Sequence, residues 1–282
     1  MTLLLTAVAA AIVLIAIYIT AVEPYWFRTV RLDVRSPRVP AGLEGRTVLF
    51  LTDIHTSKYG RLEKTLSRRL RELGQVDLCV ITGDLMYRGS AGGALARVLE
   101  NVDARSGKYY VCGNSEYKPY IDHDEMITAY GNMGLTELRN RSVTPFPDAP
   151  SFRLVGVDNF EECDVADPAA AFEEVRDTDY TVCLSHAPSN IDGLLKYGPD
   201  LVLSGHTHGG QVRLPLFNVV YTHMSRLDGL HGGMYPPDRL SELAGEKTEK
   251  TLLIVSNGIG TSAIRIRFRC RPQIHILTFY QK

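Results

Sequence analysis

The sequence predicts an α/β domain carried behind one N-terminal transmembrane helix, and three observations predict it. An uncharged run of twenty residues, Leu3 to Val22, opens the chain. Apolar strand-like runs then recur, several of them ending in a carboxylate, an amide or an imidazole. Between them lie amphipathic or Ala- and Leu-rich segments of helical length. About 240 residues follow the first run, enough to build one large core.

As a helix, the opening run measures about 30 Å, the thickness of a bilayer core. A cleavable signal peptide needs a basic leading segment, which is absent, and has only a weak small-residue site near Ala21 in its favour. Residues 1–22 are therefore expected to be a retained anchor. Tyr25 and Trp26 stand where an interfacial aromatic pair belongs, and Arg28, Arg31, Arg35 and Arg38 follow. No Lys or Arg precedes the helix, so the positive-inside rule puts the C-terminal side in the cytoplasm, on the cell membrane. Residues 23–45, basic, non-periodic and holding Pro24, Pro37 and Pro40, read as a juxtamembrane linker. Its arginines either set topology or touch anionic headgroups. The domain itself is expected over residues 46–282.

From Thr47 onward one pattern repeats. Thr47 to Thr52 runs into Asp53-Ile54-His55, Val76 to Thr82 into Gly83-Asp84, and Lys108 to Cys112 into Gly113-Asn114. Thr181 to Ser185 runs into His186, and Asp200 to Ser204 into Gly205-His206-Thr207-His208. In open α/β sheets the C-terminal strand edge is where ligands bind. Helices are expected over Arg61 to Leu73, Ala91 to Val102, Asp124 to Met133 and Pro168 to Arg176, the last opened by proline after Asp167. Arg153 to Val157, Thr251 to Ser256, Ile264 to Phe268 and Gln273 to Phe279 read as further strands. Residues 212–250, rich in proline and glycine, read as a long loop at the rim of the site.

Composition narrows the classes. A formal net charge of −1 offers no global basic field for nucleic acid. The five cysteines, Cys79, Cys112, Cys163, Cys183 and Cys270, are scattered without CxxC spacing. That argues against a disulfide framework and for a reducing compartment. Cys79, Cys112 and Cys183 lie inside apolar runs and are expected as buried thiols.

The residues at the strand ends are Asp53, His55, Asp84, Asn114, His186, His206 and His208. Alone, His206-x-His208 is equally well explained as two polar loop residues. Together the seven form a donor set of two carboxylates, one amide and four imidazoles. One four-coordinate ion uses about half of them, whereas two divalent ions sharing a carboxylate use them all. Mixed nitrogen and oxygen donors suit Mn, Fe or Zn rather than Ca or Mg. Such a pair lowers the pKa of a bridging water and clamps phosphoryl oxygens for in-line attack.

The order Asp-x-His, Gly-Asp, Gly-Asn, His, Gly-His-x-His resembles the calcineurin-like metallophosphoesterase family, from about Thr47 to the C-terminus. The string Leu203 to Gln211, and Gly258-Ile259-Gly260-Thr261-Ser262 ahead of the Arg265 to Pro272 run, are similar to its membrane-anchored bacterial branch. The resemblance implies a four-layer sandwich of two mixed β-sheets flanked by helices. It implies hydrolysis of phosphomonoesters, phosphodiesters or pyrophosphates with two divalent ions, Mn²⁺ first and Fe or Zn as alternatives. It also implies that Asp53, His55 and His208 hold one metal and Asn114, His186 and His206 the other, with Asp84 bridging. Catalytic roles fall to Asp84, Asn114 and His206.

One departure stands out. The family continues Gly-Asn-His-Asp, and this chain reads Gly113-Asn114-Ser115-Glu116. The missing histidine is credited in the family with transition-state stabilisation or leaving-group protonation, and a serine hydroxyl supplies no cation at pH 7. General acid catalysis is worth about 10²–10⁴-fold, so the loss weighs on a poor leaving group more than on a pyrophosphate. His123, His223 and His231 are candidate replacements, and Arg61 and Lys118 candidate phosphate clamps. The leading expectation is a phosphohydrolase cleaving a phosphodiester or pyrophosphate. The anchor points to a lipid-linked substrate, such as the UDP-diacylglucosamine that some anchored relatives cleave. The alternative is a catalytically weak pseudoenzyme or scaffold that recognises a phosphorylated ligand, favoured by Ser115 and disfavoured by the intact donor set. A nuclease is disfavoured by the neutral charge and the lack of a basic aromatic groove.

Overall fold

A computed structural model of the chain describes every residue except 88–91, 159–165, 216–217, 220–226 and 228. Its strands in chain order are β1 (Arg28–Ser36), β2 (Thr47–Leu51), β3 (Leu78–Thr82), β4 (Lys108–Val111), β5 (Leu135–Glu137), β6 (Arg141–Val143) and β7 (Phe152–Gly156). There follow β8 (Tyr180–Leu184), β9 (Leu201–Ser204), β10 (Arg213–Leu214), β11 (Asn218–Val219), β12 (Gly233–Tyr235), β13 (Leu252–Val255) and β14 (Gln273–Gln281). The helices are α1 (Thr2–Ile17), α2 (Arg61–Leu73), α3 (Gly93–Leu99), α4 (His123–Asn132), α5 (Pro168–Phe172), α6 (Ile191–Leu195) and α7 (Pro237–Ala244).

Two six-stranded mixed sheets result, in the orders β1-β14-β2-β3-β4-β5 and β12-β13-β9-β8-β7-β6. Side chains alternate across a strand, and here both faces of each central strand are covered, so the runs read as continuously apolar. Val48 and Phe50 of β2 meet Leu154, Val182 and Leu203 of the other sheet, while Leu49 and Leu51 turn the opposite way, toward α2, α3 and α4. Val155, Cys183, Val202 and Leu253 form the outer core of the second sheet with residues of α5, α6 and α7. The layers are helix, sheet, sheet, helix. The helix α2 shows why it belongs there: Leu66 and Leu70 are buried, with Leu62 and Leu73 packed beside them at helical spacing.

The structure departs from the sequence reading in three places. Residues 23–45 are no free linker, because β1 pairs in parallel with β14 from Arg28↔Gln273 to Ser36↔Gln281. Val30, Leu32 and Val34 alternate there with Arg31, Asp33 and Arg35, a strand pattern hidden by the charge. Within residues 212–250, the described part holds more order than a loop: β12 closes the second sheet antiparallel to β13, and α7 starts at Pro237, a first-turn proline, while 216–217, 220–226 and 228 lie outside the described residues. Ile264 to Phe268 is not a strand, and only Phe268 makes a bridge, to Val212. Arg267 explains it, since its fully buried guanidinium donates to the carbonyls of Asn257, Gly258, Gly260 and Cys270 and curls the segment around itself.

The helix α1 buries none of its residues. With the turns that follow, Thr2–Tyr25 makes one continuous apolar span long enough to cross a membrane. Cys79, Cys112 and Cys183 are buried, as is Cys270, while Cys163 lies outside the described residues.

Candidate metal centre

The parallel strands β2, β3, β8 and β9 end at one edge, where the two sheets meet, and the loops that follow them converge. Five of the candidate donors on those loops adopt left-handed backbone without being glycine: Asp53 (φ 51°), His55 (48°), Asp84 (54°), His206 (66°) and His208 (49°). Each such residue costs about 1–3 kcal/mol, and clusters of them mark functional sites. The strain is held by backbone bonds between the loops, Asp53 N–H to Gly83 O (3.0 Å) and His55 N–H to Asp84 O (2.9 Å). The approach is close enough to require glycine beside it. A Cβ on Gly113 would sit 2.3 Å from Asp84 Oδ1, and one on Gly205 would sit 2.3 Å from Asp53 Oδ2.

All seven candidates come together. His55 Nε2 and His208 Nε2 are 3.0 Å apart with their rings stacked, and Asp53 Oδ1 is 3.6 Å from His208 Nε2. On the other side, Asn114 Oδ1, His186 Nε2 and His206 Nδ1 form a triangle with edges of 3.0, 3.1 and 3.1 Å. Asp84 stands between the two groups. Its Oδ2 is 3.3 Å from His55 Nε2, and its Oδ1 is 3.6 Å from His186 Nε2.

The chemistry of this donor set fits cations. His186 Nδ1 donates to the Thr82 carbonyl at 2.6 Å, which fixes its tautomer and leaves Nε2 with a lone pair in the neutral ring. That lone pair faces the amide oxygen of Asn114, also an acceptor, an arrangement suited to a cation between them. Electrostatics agree. Burial pushes the Asp53 carboxyl up to about 7, against the pull of His186. Asp84 is just as buried, but His186 and His55 hold it below the usual carboxylate range. Burial disfavours the His186 imidazolium, and Asp84 and Asp53 outweigh it and raise its pKa.

Other residues position this set, and one was invisible as such in the sequence. Glu116 is buried, and its carboxylate accepts the amides of Asp84 (2.9 Å), Leu85 (2.8 Å) and Gly113 (2.8 Å) and the Tyr130 hydroxyl (3.2 Å). It ties the β3 and β4 loops together. Ser115 gives its amide to Asp84 Oδ1 at 2.8 Å, and the Thr52 hydroxyl donates to Asp53 Oδ2 at 2.9 Å. In the sequence Glu116 is visible only as a departure from a motif, and nothing there signals its burial.

The candidate replacements for the missing histidine scatter. His123 stacks on Tyr117 in a separate group with Cys112 and Glu137. The His231 carbonyl accepts from Thr207 at 2.8 Å, so its backbone adjoins the histidine loop, and His223 lies outside the described residues. Arg61 lines a cleft that also reaches His55, whereas Lys118 is half-buried in the loop after β4.

The family model described as calcineurin-like phosphoesterase matches residues 46–210. The chain belongs to that family. Its metallophosphoesterase relatives include the UDP-2,3-diacylglucosamine pyrophosphatase LpxG of Chlamydia muridarum, 28% identical over 97% of this chain and 95% of that protein. The metallophosphoesterase YkuE of Bacillus subtilis is 26% identical over 93% of this chain and 88% of its own length. A transmembrane protein with a metallophosphoesterase domain from Bos taurus is 27% identical over 91% of this chain and 57% of that protein. The chain is thus a metal-dependent phosphoesterase, a hydrolase, with two mixed sheets flanked by helices and one N-terminal apolar helix.

Proposed function

We propose that this metallophosphoesterase cleaves the diphosphate of a nucleotide-linked lipid at the membrane surface, using two divalent ions. In this reading Asp53, His55 and His208 hold one ion, Asn114, His186 and His206 the other, and Asp84 serves both. The observation that carries it is the placement of Asp84, one carboxylate oxygen toward each group of donors. The relative named as a UDP-2,3-diacylglucosamine pyrophosphatase supports the substrate class, and the apolar span Thr2–Tyr25 supports a membrane site. By the arginine bias after the span, the domain faces the cytoplasm.

Bound at these donors, two divalent ions, Mn²⁺ foremost, supply an acidified water and polarise the phosphoryl oxygens. The chain's own residues do the rest. The Ser115 amide and the Thr82 carbonyl fix the orientation of Asp84 and His186. The water's oxygen ends on one phosphorus, the bridging P–O bond breaks, and two monophosphates leave. The departing phosphate is acidic, so the reaction tolerates serine at 115 where a poorer leaving group would want a proton donor.

The test is hydrolysis of UDP-2,3-diacylglucosamine by the full chain in detergent with Mn²⁺. Release of the nucleoside monophosphate, abolished in Asp84→Ala, is expected. Hydrolysis of bis(p-nitrophenyl) phosphate without any attack on the nucleotide-lipid would sink the substrate assignment.

A further inference from the structure

The apolar span is mounted on the catalytic body. Glu23, at its end, is fully buried and accepts the Cys270 amide at 2.5 Å. The Arg267 amide donates to the Ile19 carbonyl at 3.0 Å, and the Tyr18 ring stands edge-on to Phe268 at 6.4 Å. The point where the span leaves the domain is therefore fixed relative to the segment 257–270.

One cleft is shared by that point and the metal centre. Pro24 and Tyr25 from the end of the span line it together with the candidate donor His55, and with Lys58, Arg61 and Arg265. The Arg61 guanidinium lies over the Tyr25 ring, 4.2 Å from its centroid. At the lip, Ile264 is 62% exposed next to Arg265, and Trp26 is 49% exposed at the end of the span. The lip is also joined to the histidine loop. The Gln211 side chain accepts the Ser262 amide at 2.8 Å and donates to the Ile264 carbonyl at 3.3 Å. An exposed isoleucine, an interfacial tryptophan and three cations beside a membrane span match the boundary between acyl chains and anionic headgroups.

We propose that this cleft is a lateral portal: the Ile264 lip sits in the bilayer surface, and the anionic headgroup of a membrane-held substrate passes Arg61 and Arg265 to reach the metal centre while its acyl chains stay in lipid. The substrate's identity rests on the hydrolytic reading above; the contact between lip and bilayer does not.

Trp26 is the only tryptophan in the chain, so the lip can be reported on its own. The double variant Trp26→Phe, Ile264→Trp, as the full chain in vesicles of phosphatidylglycerol and phosphatidylcholine brominated near the headgroup, should lose emission relative to unbrominated vesicles. It should resist aqueous iodide. Quenching by iodide without quenching by bromine would overturn the portal, whatever the activity. In a second arm, Ile264→Glu should lower kcat/KM for micellar UDP-2,3-diacylglucosamine about tenfold or more and leave bis(p-nitrophenyl) phosphate within about twofold. Equal losses on both substrates, or none, would also overturn it. Bromine quenching in the double variant, with a parent that cleaves only the diester, would sink the lipid-diphosphate reading and uphold the bilayer contact.

Discussion

Nε2 of His186 lies 3.0 Å from Oδ1 of Asn114, and in the neutral ring neither atom carries a hydrogen. His206 Nδ1 is 3.1 Å from both. A cation held by these three atoms together links metal binding to the fold. Stripping the protein with EDTA should lower Tm, and Mn²⁺ should restore it. At a thousandfold excess over Kd the gain is about 4 kcal/mol. A melting curve indifferent to both additions would mean that the donors are satisfied without metal.

Glu116 offers a second check, because its carboxylate is a structural tie between two donor loops. Glu116→Ala leaves three buried amides without an acceptor and should cost about 3 kcal/mol or more. Glu116→Gln keeps one acceptor oxygen and should cost less. Denaturant unfolding ranks them, and equal stability of the two variants would remove the tie from the account.

Ser115 bears on the leaving group. Placing a histidine there, Ser115→His, puts a proton donor beside Asp84 and should raise turnover of a diester with a poor alkyl leaving group about tenfold or more. p-Nitrophenyl esters, whose leaving group needs little protonation, should respond far less. A uniform change across both substrates would say that position 115 acts through structure alone.

His275 gives a pH signature away from the centre. Buried on β14, and with Arg28 adding to the effect, its pKa is depressed from 6.5 to about 4. The unfolded chain takes up this proton between pH 6.5 and 4 and the native one does not. Its contribution is therefore whole above pH 6.5 and is lost as pH falls toward 4, by about 3 kcal/mol in all. His275→Gln should unfold with a correspondingly shallower acid limb. A stability difference between parent and variant that stays constant across pH 7 to 4 would contradict this.

Much of the fold was legible because the central strands are buried on both faces, and continuous apolar runs are hard to mistake. The candidate site was legible for a related reason: each candidate donor follows such a run, as Asp53 follows β2 and His206 follows β9. The losses occurred where charge masked pattern. Arg31, Asp33 and Arg35 hid the alternation of β1, which lies at the sheet edge with those side chains exposed. Arg265, Arg267 and Arg269 alternate identically in sequence, yet only Arg267 turns inward. Nothing in a single sequence distinguishes it, because its partners are carbonyls brought together by the fold. Glu116 escaped for the same reason, its role set by three amides from two loops.

The most direct test of the two-metal reading is a Mn²⁺ titration of the metal-free full chain by calorimetry, with bis(p-nitrophenyl) phosphate hydrolysis followed in parallel. The account predicts two ions per chain, activity that appears as the second binds, and loss of the second site and of activity by about 10³-fold or more in Asp84→Asn. One ion per chain at full activity, or two ions with no hydrolysis of the diester or of the nucleotide-lipid, would contradict it.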